Sequence, residues 1–133
     1  MIKRILLTVF FVSFAALYAI AQSDNLAESM KRGKEVYTLN CQSCHMEKGE
    51  GLEGAFPPLA KTTYLKDAKK IIGIILNGQT GEINVNGKKY DSAMPGQNYL
   101  SDEQIADVLN YVRNNWGNKY PAVTPAHVKA ERK

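Results

Sequence analysis

Cys41-Gln42-Ser43-Cys44-His45 constrains this chain more than any other segment, because it holds the only two cysteines among 133 residues. Two thiols three positions apart lie on one helical turn, and an imidazole follows at once. C-x-x-C-H is the spacing of a c-type haem attachment, in which each thiol forms a thioether to one vinyl group and the histidine sits beneath the iron. Other uses of the pair fit less well. A thioredoxin-like redox couple needs β-α-β surroundings, which the flanking sequence lacks. A disulfide closing so short a loop would stabilise little. A zinc site lacks donors, since the only other histidine is His127 near the end of the chain. One covalent haem c, tethered by Cys41 and Cys44 with His45 as an iron ligand, is therefore the expected cofactor.

The N-terminus is set aside before any fold reasoning. Lys3 and Arg4 precede an uncharged, mostly apolar run of 16 residues from Ile5 to Ile20, and Ala19-Ile20-Ala21 fits the small-x-small cleavage pattern before Gln22. Residues 1–21 are expected to be a secretory signal peptide, and the mature chain to be exported and periplasmic. The run is short of the roughly 20 apolar residues that span a bilayer. An uncleaved N-terminus would instead leave a membrane anchor with the chain facing the periplasm, and only then is membrane contact expected. Without Lys3 and Arg4 there are 15 basic and 13 acidic residues, and residues 22–119 are neutral overall. Scattered lysines on a neutral core do not make the clustered basic face that nucleic-acid binding requires. The division expected is one domain over 22–119 and a tail over 120–133, in a monomer.

Periodicity marks three helices. The first follows Ser23-Asp24-Asn25, all good N-cap types, and runs to about Asn40, with Leu26, Met30, Gly33 and Tyr37 on one face. A glycine on that apolar stripe predicts a close backbone crossing. The second starts near Asp67, carries Ile71, Ile72, Ile74, Ile75 and Leu76, and stops at Asn77-Gly78. The third opens on the capping box Ser101-Asp102-Glu103-Gln104 and repeats Ile105, Val108, Leu109, Val112 and Trp116 until Gly117. Between the last two, Asn86-Gly87 separates short alternating runs over Ile83 to Tyr90, a hairpin signal. Beyond Trp116 the prolines Pro121 and Pro125 and the lack of an apolar period predict a loose tail.

A haem iron has a second axial position. Met46 adjoins His45 and cannot reach the other face of the ring, and Met30 lies on an apolar stripe that predicts a core role. His127 would need the tail to fold over the haem. Met94 sits in Tyr90-Asp91-Ser92-Ala93-Met94-Pro95-Gly96, in a loop 49 residues beyond His45. Pro95 and Gly96 set an irregular backbone there that suits holding a thioether. Met94 is the preferred distal ligand, against the alternative of a core filler.

On Gly33 to Tyr37, Cys41-Gln42-Ser43-Cys44-His45, Phe56-Pro57-Pro58-Leu59-Ala60, Ala93-Met94-Pro95 and the helix with Val108 and Tyr111, residues 24–118 resemble a class I c-type cytochrome, a small bacterial monohaem protein. The resemblance implies an all-α cytochrome c fold of three to four helices around one covalent haem, here with a small β-hairpin insertion before the Met94 loop. It implies that Gly33, Tyr37, Val108 and Tyr111 meet where the first and last helices cross. It also implies that a proline carbonyl after the haem motif, Pro58 or alternatively Pro57, accepts the His45 Nδ1–H. The function implied is that of a one-electron carrier between a donor and an acceptor redox protein, with His/Met ligation and no catalytic residues of its own. Two alternatives are a haem subunit of a membrane-bound oxidoreductase kept by an uncleaved anchor, and an open-site haem protein with peroxidase or gas-binding activity. The hairpin and the absence of a basic ring depart from the short members of the family.

Overall fold

A computed structural model describes residues 25–132. The expected signal peptide, residues 1–21, and the Ser23-Asp24 part of the first cap lie outside the described residues. Helix α1 covers 25–40. After a one-residue break at Cys41, α2 runs Gln42–His45. A single 3-10 turn over Thr63–Leu65 leads to α3, Ala68–Asn77. The antiparallel strands β1, Ile83–Val85, and β2, Lys88–Tyr90, follow, then α4, Asp102–Arg113, and α5, Pro125–Glu131. The fold is thus largely helical with one small hairpin, as expected for a cytochrome c.

Local chemistry sets the element ends. The Asp67 side chain accepts from Lys70 N–H at 3.1 Å and opens α3, which closes at Gly78. Both hydrogen bonds of the Ser101–Gln104 capping box form at the start of α4. The hairpin pairs Ile83 with Tyr90 and turns through Asn86 and Gly87, whose φ of 54° and 80° match the twist of the flanking strands.

Helices α1 and α4 cross at Gly33. A Cβ there would overlap the Asp107 carbonyl and stand 3.0 Å from the Tyr111 Cβ, so only glycine permits the approach. Tyr37, Tyr111 and Trp116 pack as a trio beside it, Tyr37 tilted against both partners and Tyr111 edge-on to Trp116, with centroids 5.1–5.6 Å apart. Val108 is buried on the same helix. Polar groups close the other flank. Asp107 accepts from Ser29 Oγ at 2.5 Å and from both Arg32 Nε and Nη2, at 2.7 and 2.9 Å. A buried carboxylate is tolerable only when paired in this way.

Two expectations are corrected. Helix α4 stops at Arg113, not near Gly117. The Asn118 amide, buried, donates to the Val112 carbonyl at 2.8 Å and to Leu59 at 2.7 Å, taking a helix-end acceptor that a further turn would need. Trp116 then adopts φ of 49°, outside the helix. The tail is also not loose, since Pro125 is the first residue of α5 and not a breaker. Thr124 and His127 form its capping box. Val123 and Val128 are buried with the main core. Asn110 exchanges two hydrogen bonds with the Val123 backbone, and Arg113 donates to the Leu65, Lys66 and Pro121 carbonyls, stitching the returning chain to the domain.

Candidate haem-attachment site

His45 is buried at the end of α2, and its Nδ1 lies 2.9 Å from the Pro57 carbonyl. A carbonyl only accepts, so the proton is on Nδ1 and the neutral ring keeps a free lone pair on Nε2. Burial pushes the His45 pKa below its usual value, with the Pro57 bond opposing part of that shift. The ring is therefore held as a neutral, oriented donor. The acceptor is Pro57 and not Pro58. Leu52 and Phe56 exchange hydrogen bonds at 2.8 Å, and Leu59 N–H donates to the Gly49 carbonyl at 2.7 Å. Residues 56–59 are thereby fixed, and of their successive carbonyls it is that of Pro57 that faces the ring. Tyr37 steadies the start of the same loop by donating from Oη to the Met46 carbonyl at 2.6 Å.

Cys41 and Cys44 are both free thiols, half-buried. Burial pushes the Cys41 thiol up to about 11, with a smaller upward push from Cys44, so it stays protonated near neutral pH. Both cysteines and His45 line a cavity of about 230 Å³. Its remaining wall is largely apolar, with Phe56, Leu59, Ile71, Ile74, Ile75, Val85, Tyr90, Leu100 and Leu109 among its residues. Of the apolar run on α3, Ile71, Ile74 and Ile75 line the cavity, and Ile72 and Leu76 are buried in the core.

Met94 belongs to the wall of the same cavity, which Met30 and Met46 do not reach. It comes from a different stretch of chain, and its backbone is laced to the end of α3. Met94 N–H donates to the Gln79 carbonyl at 2.8 Å and its own carbonyl accepts from Gln79 N–H at 2.9 Å. Gly78, at φ of 78°, makes room for this pairing, since a Cβ there would stand 2.5 Å from the Met94 carbonyl oxygen. The Gln79 side chain is held in turn by the Tyr64 hydroxyl, at 3.1–3.2 Å. His127, whose Nδ1 caps α5, is not part of this wall.

The hairpin contributes Ile83, Val85 and Tyr90 to the wall. Lys88 pairs with Glu53 at 2.6 Å, and the Asn86 amide donates to the Lys61 carbonyl at 3.3 Å, fastening the hairpin to the segment that follows α2. Sequence reasoning missed Gln79, Tyr64 and Asn118, whose roles are hydrogen bonds to backbone or to each other and leave no periodic signal.

Two free thiols, one ring nitrogen with an available lone pair and one thioether thus converge on an apolar cavity. That donor set fits covalent haem c, with the thiols for the vinyl groups and His45 for the iron. Among the described residues no group of three or more His, Cys, Asp or Glu side chains gathers to hold a bare metal ion.

Comparison with known proteins agrees with this chemistry. The family model described as cytochrome c matches residues 30–116. A cytochrome c-552 of Thermus thermophilus is 34% identical over 140 residues, spanning 88% of this chain and 94% of its own. The cytochrome c subunit of alcohol dehydrogenase (quinone) from Gluconobacter oxydans is 39% identical over 98 residues, 71% of this chain but 20% of that subunit. The gluconate 2-dehydrogenase cytochrome c subunit of Pantoea cypripedii is 32% identical over 130 residues, 90% of this chain and 29% of the subunit.

Proposed function

The chain belongs to the cytochrome c family and carries haem c on Cys41 and Cys44, and on that premise we propose that it is an exported carrier of single electrons between larger redox proteins, with His45 and Met94 as the axial ligands. The observation that carries this reading is that both thiols, His45 and Met94 line one apolar cavity. When bound, haem c supplies an iron that gains and loses one electron. The residues do the rest. Cys41 and Cys44 tether the group so that it stays oriented. The Pro57 carbonyl holds the His45 tautomer and raises the donor strength of Nε2. The Gln79 pairing holds the Met94 backbone. The apolar wall excludes water, which disfavours the extra charge of the oxidised form, and thioether ligation raises the potential relative to two nitrogen donors.

A carrier needs brief encounters with its partners, and such redox interfaces typically bury less than about 1,200 Å². The likeness to cytochrome c-552 over 94% of that protein supports a self-standing carrier. The likeness to dehydrogenase cytochrome subunits favours a second reading, a haem subunit held in an oxidoreductase complex by an uncleaved N-terminus. Export with cleavage after Ala21 makes Gln22 the first residue of the mature chain, which mass spectrometry of the protein from its own cells tests directly. Potentiometric titration of the haem-loaded chain tests the ligation. It is expected to give one one-electron wave, shifted to lower potential in Met94→His. A potential unchanged by that substitution would remove Met94 from the iron.

A further inference from the structure

We propose that Arg132, at the end of α5, is a positioning residue for Met94 that fastens the outgoing end of the loop on which Met94 lies. The inference rests on Met94 being the distal ligand. The incoming end of that loop is secured by the Gln79 pairing, and Gln97 N–H adds a hydrogen bond to the Ile75 carbonyl at 2.6 Å. Beyond Gln97 the chain must cross to Ser101 before α4 begins. Arg132 closes over this crossing. Its Nη1 donates to the Asn98 carbonyl at 3.0 Å, its Nη2 to the Leu100 carbonyl, and its Nε to Asp102 Oδ1 at 2.5 Å. Three acceptors within five residues are thus held by one planar guanidinium, a geometry that lysine cannot reproduce. Leu100, which carries the second of these carbonyls, is itself buried and lines the cavity.

Arg132 can act as a fixed post because α5 is docked. Val128 is fully buried, and Lys69 of α3 pairs with Glu131 at 3.6 Å. A loop opens locally when the bonds at its ends are few and solvated. Here Arg132 supplies a further anchor beyond Gln97, so a wide opening of the Met94 loop must break charge-assisted bonds at 98–102 as well as those at Gln79 and Gln97. The C-terminal helix, remote in sequence from the haem motif, thereby sets how readily the distal position opens.

The test uses the full chain with haem attached, in its oxidised form, and cyanide as the probe of an opened distal position. The weak far-red absorption band of methionine–iron bonding is followed as cyanide is added. In Arg132→Gln the apparent cyanide affinity is expected to rise about tenfold or more, with Arg132→Lys between the variant and the parent. Ser29→Ala, which removes buried hydrogen bonds to Asp107 and Asn110 but touches neither Arg132 nor the 98–102 bonds, separates positioning from general stability. It is expected to lower the thermal midpoint without changing cyanide affinity. Equal cyanide affinity in Arg132→Gln and the parent would overturn the proposal, as would an equal gain in Ser29→Ala. A parent protein without the far-red band would instead bring down the reading of Met94 on which the proposal rests.

Discussion

At Gly33 the missing side chain lets the Asp107 carbonyl lie against α1, while Tyr37 on the same helix packs into the ring trio with Tyr111 and Trp116. Gly33→Ala must push the helices apart or bend one of them. Overpacking of this kind costs about 1–3 kcal/mol, and contact with rigid backbone places Gly33→Ala at the upper end. Denaturant unfolding of the haem-loaded protein measures it, and a loss below about 0.5 kcal/mol would mean that α4 does not sit this close. The glycine was legible in the sequence because it interrupts an apolar stripe at helical spacing. The His45 acceptor was legible only as one of two adjacent prolines, because pinning residues 56–59 depends on partners at Gly49 and Leu52. Asn118 was not legible at all. Its amide serves Leu59, Thr62 and Val112, and nothing local marks an asparagine whose partners are distant backbone atoms.

Among the elements, α3, the hairpin and the start of α4 follow from cap and turn chemistry written in contiguous residues. The tail does not. Helix α5 spans seven residues, too few to repeat an apolar position, and Val128 is the only one of them that is buried. Its docking depends on Asn110 and Arg113 of α4, which face the returning chain at Val123 and Pro121. Burying a valine side chain is worth about 1.5–3 kcal/mol. Val128→Ala is therefore expected to lower unfolding free energy by about 2 kcal/mol, read from a shifted denaturant midpoint at unchanged slope. A freely exposed tail would give a change within about 0.5 kcal/mol. The α4 stop at Arg113 illustrates the same limit, since the apolar spacing to Trp116 continues past the point where Asn118 takes the Val112 carbonyl.

For the whole molecule, residues of α1 to α4, the hairpin and two loops surround one cavity, so the core is completed by what occupies it. A domain of this size buries only a modest core by itself, and the covalently held haem supplies apolar contact that the side chains leave open. Cys41, Cys44 and His45 come from α2 and its N-cap, while Met94 arrives from a loop laced to Gln79, just past the end of α3. The central claim, a haem c held between His45 and Met94, is tested most directly by the optical spectrum of the oxidised full chain matured in a host that attaches haem. A low-spin spectrum with the weak far-red band of methionine–iron bonding, lost in Met94→Ala, is the predicted result. A high-spin spectrum in the parent, or a far-red band that survives Met94→Ala, would contradict it.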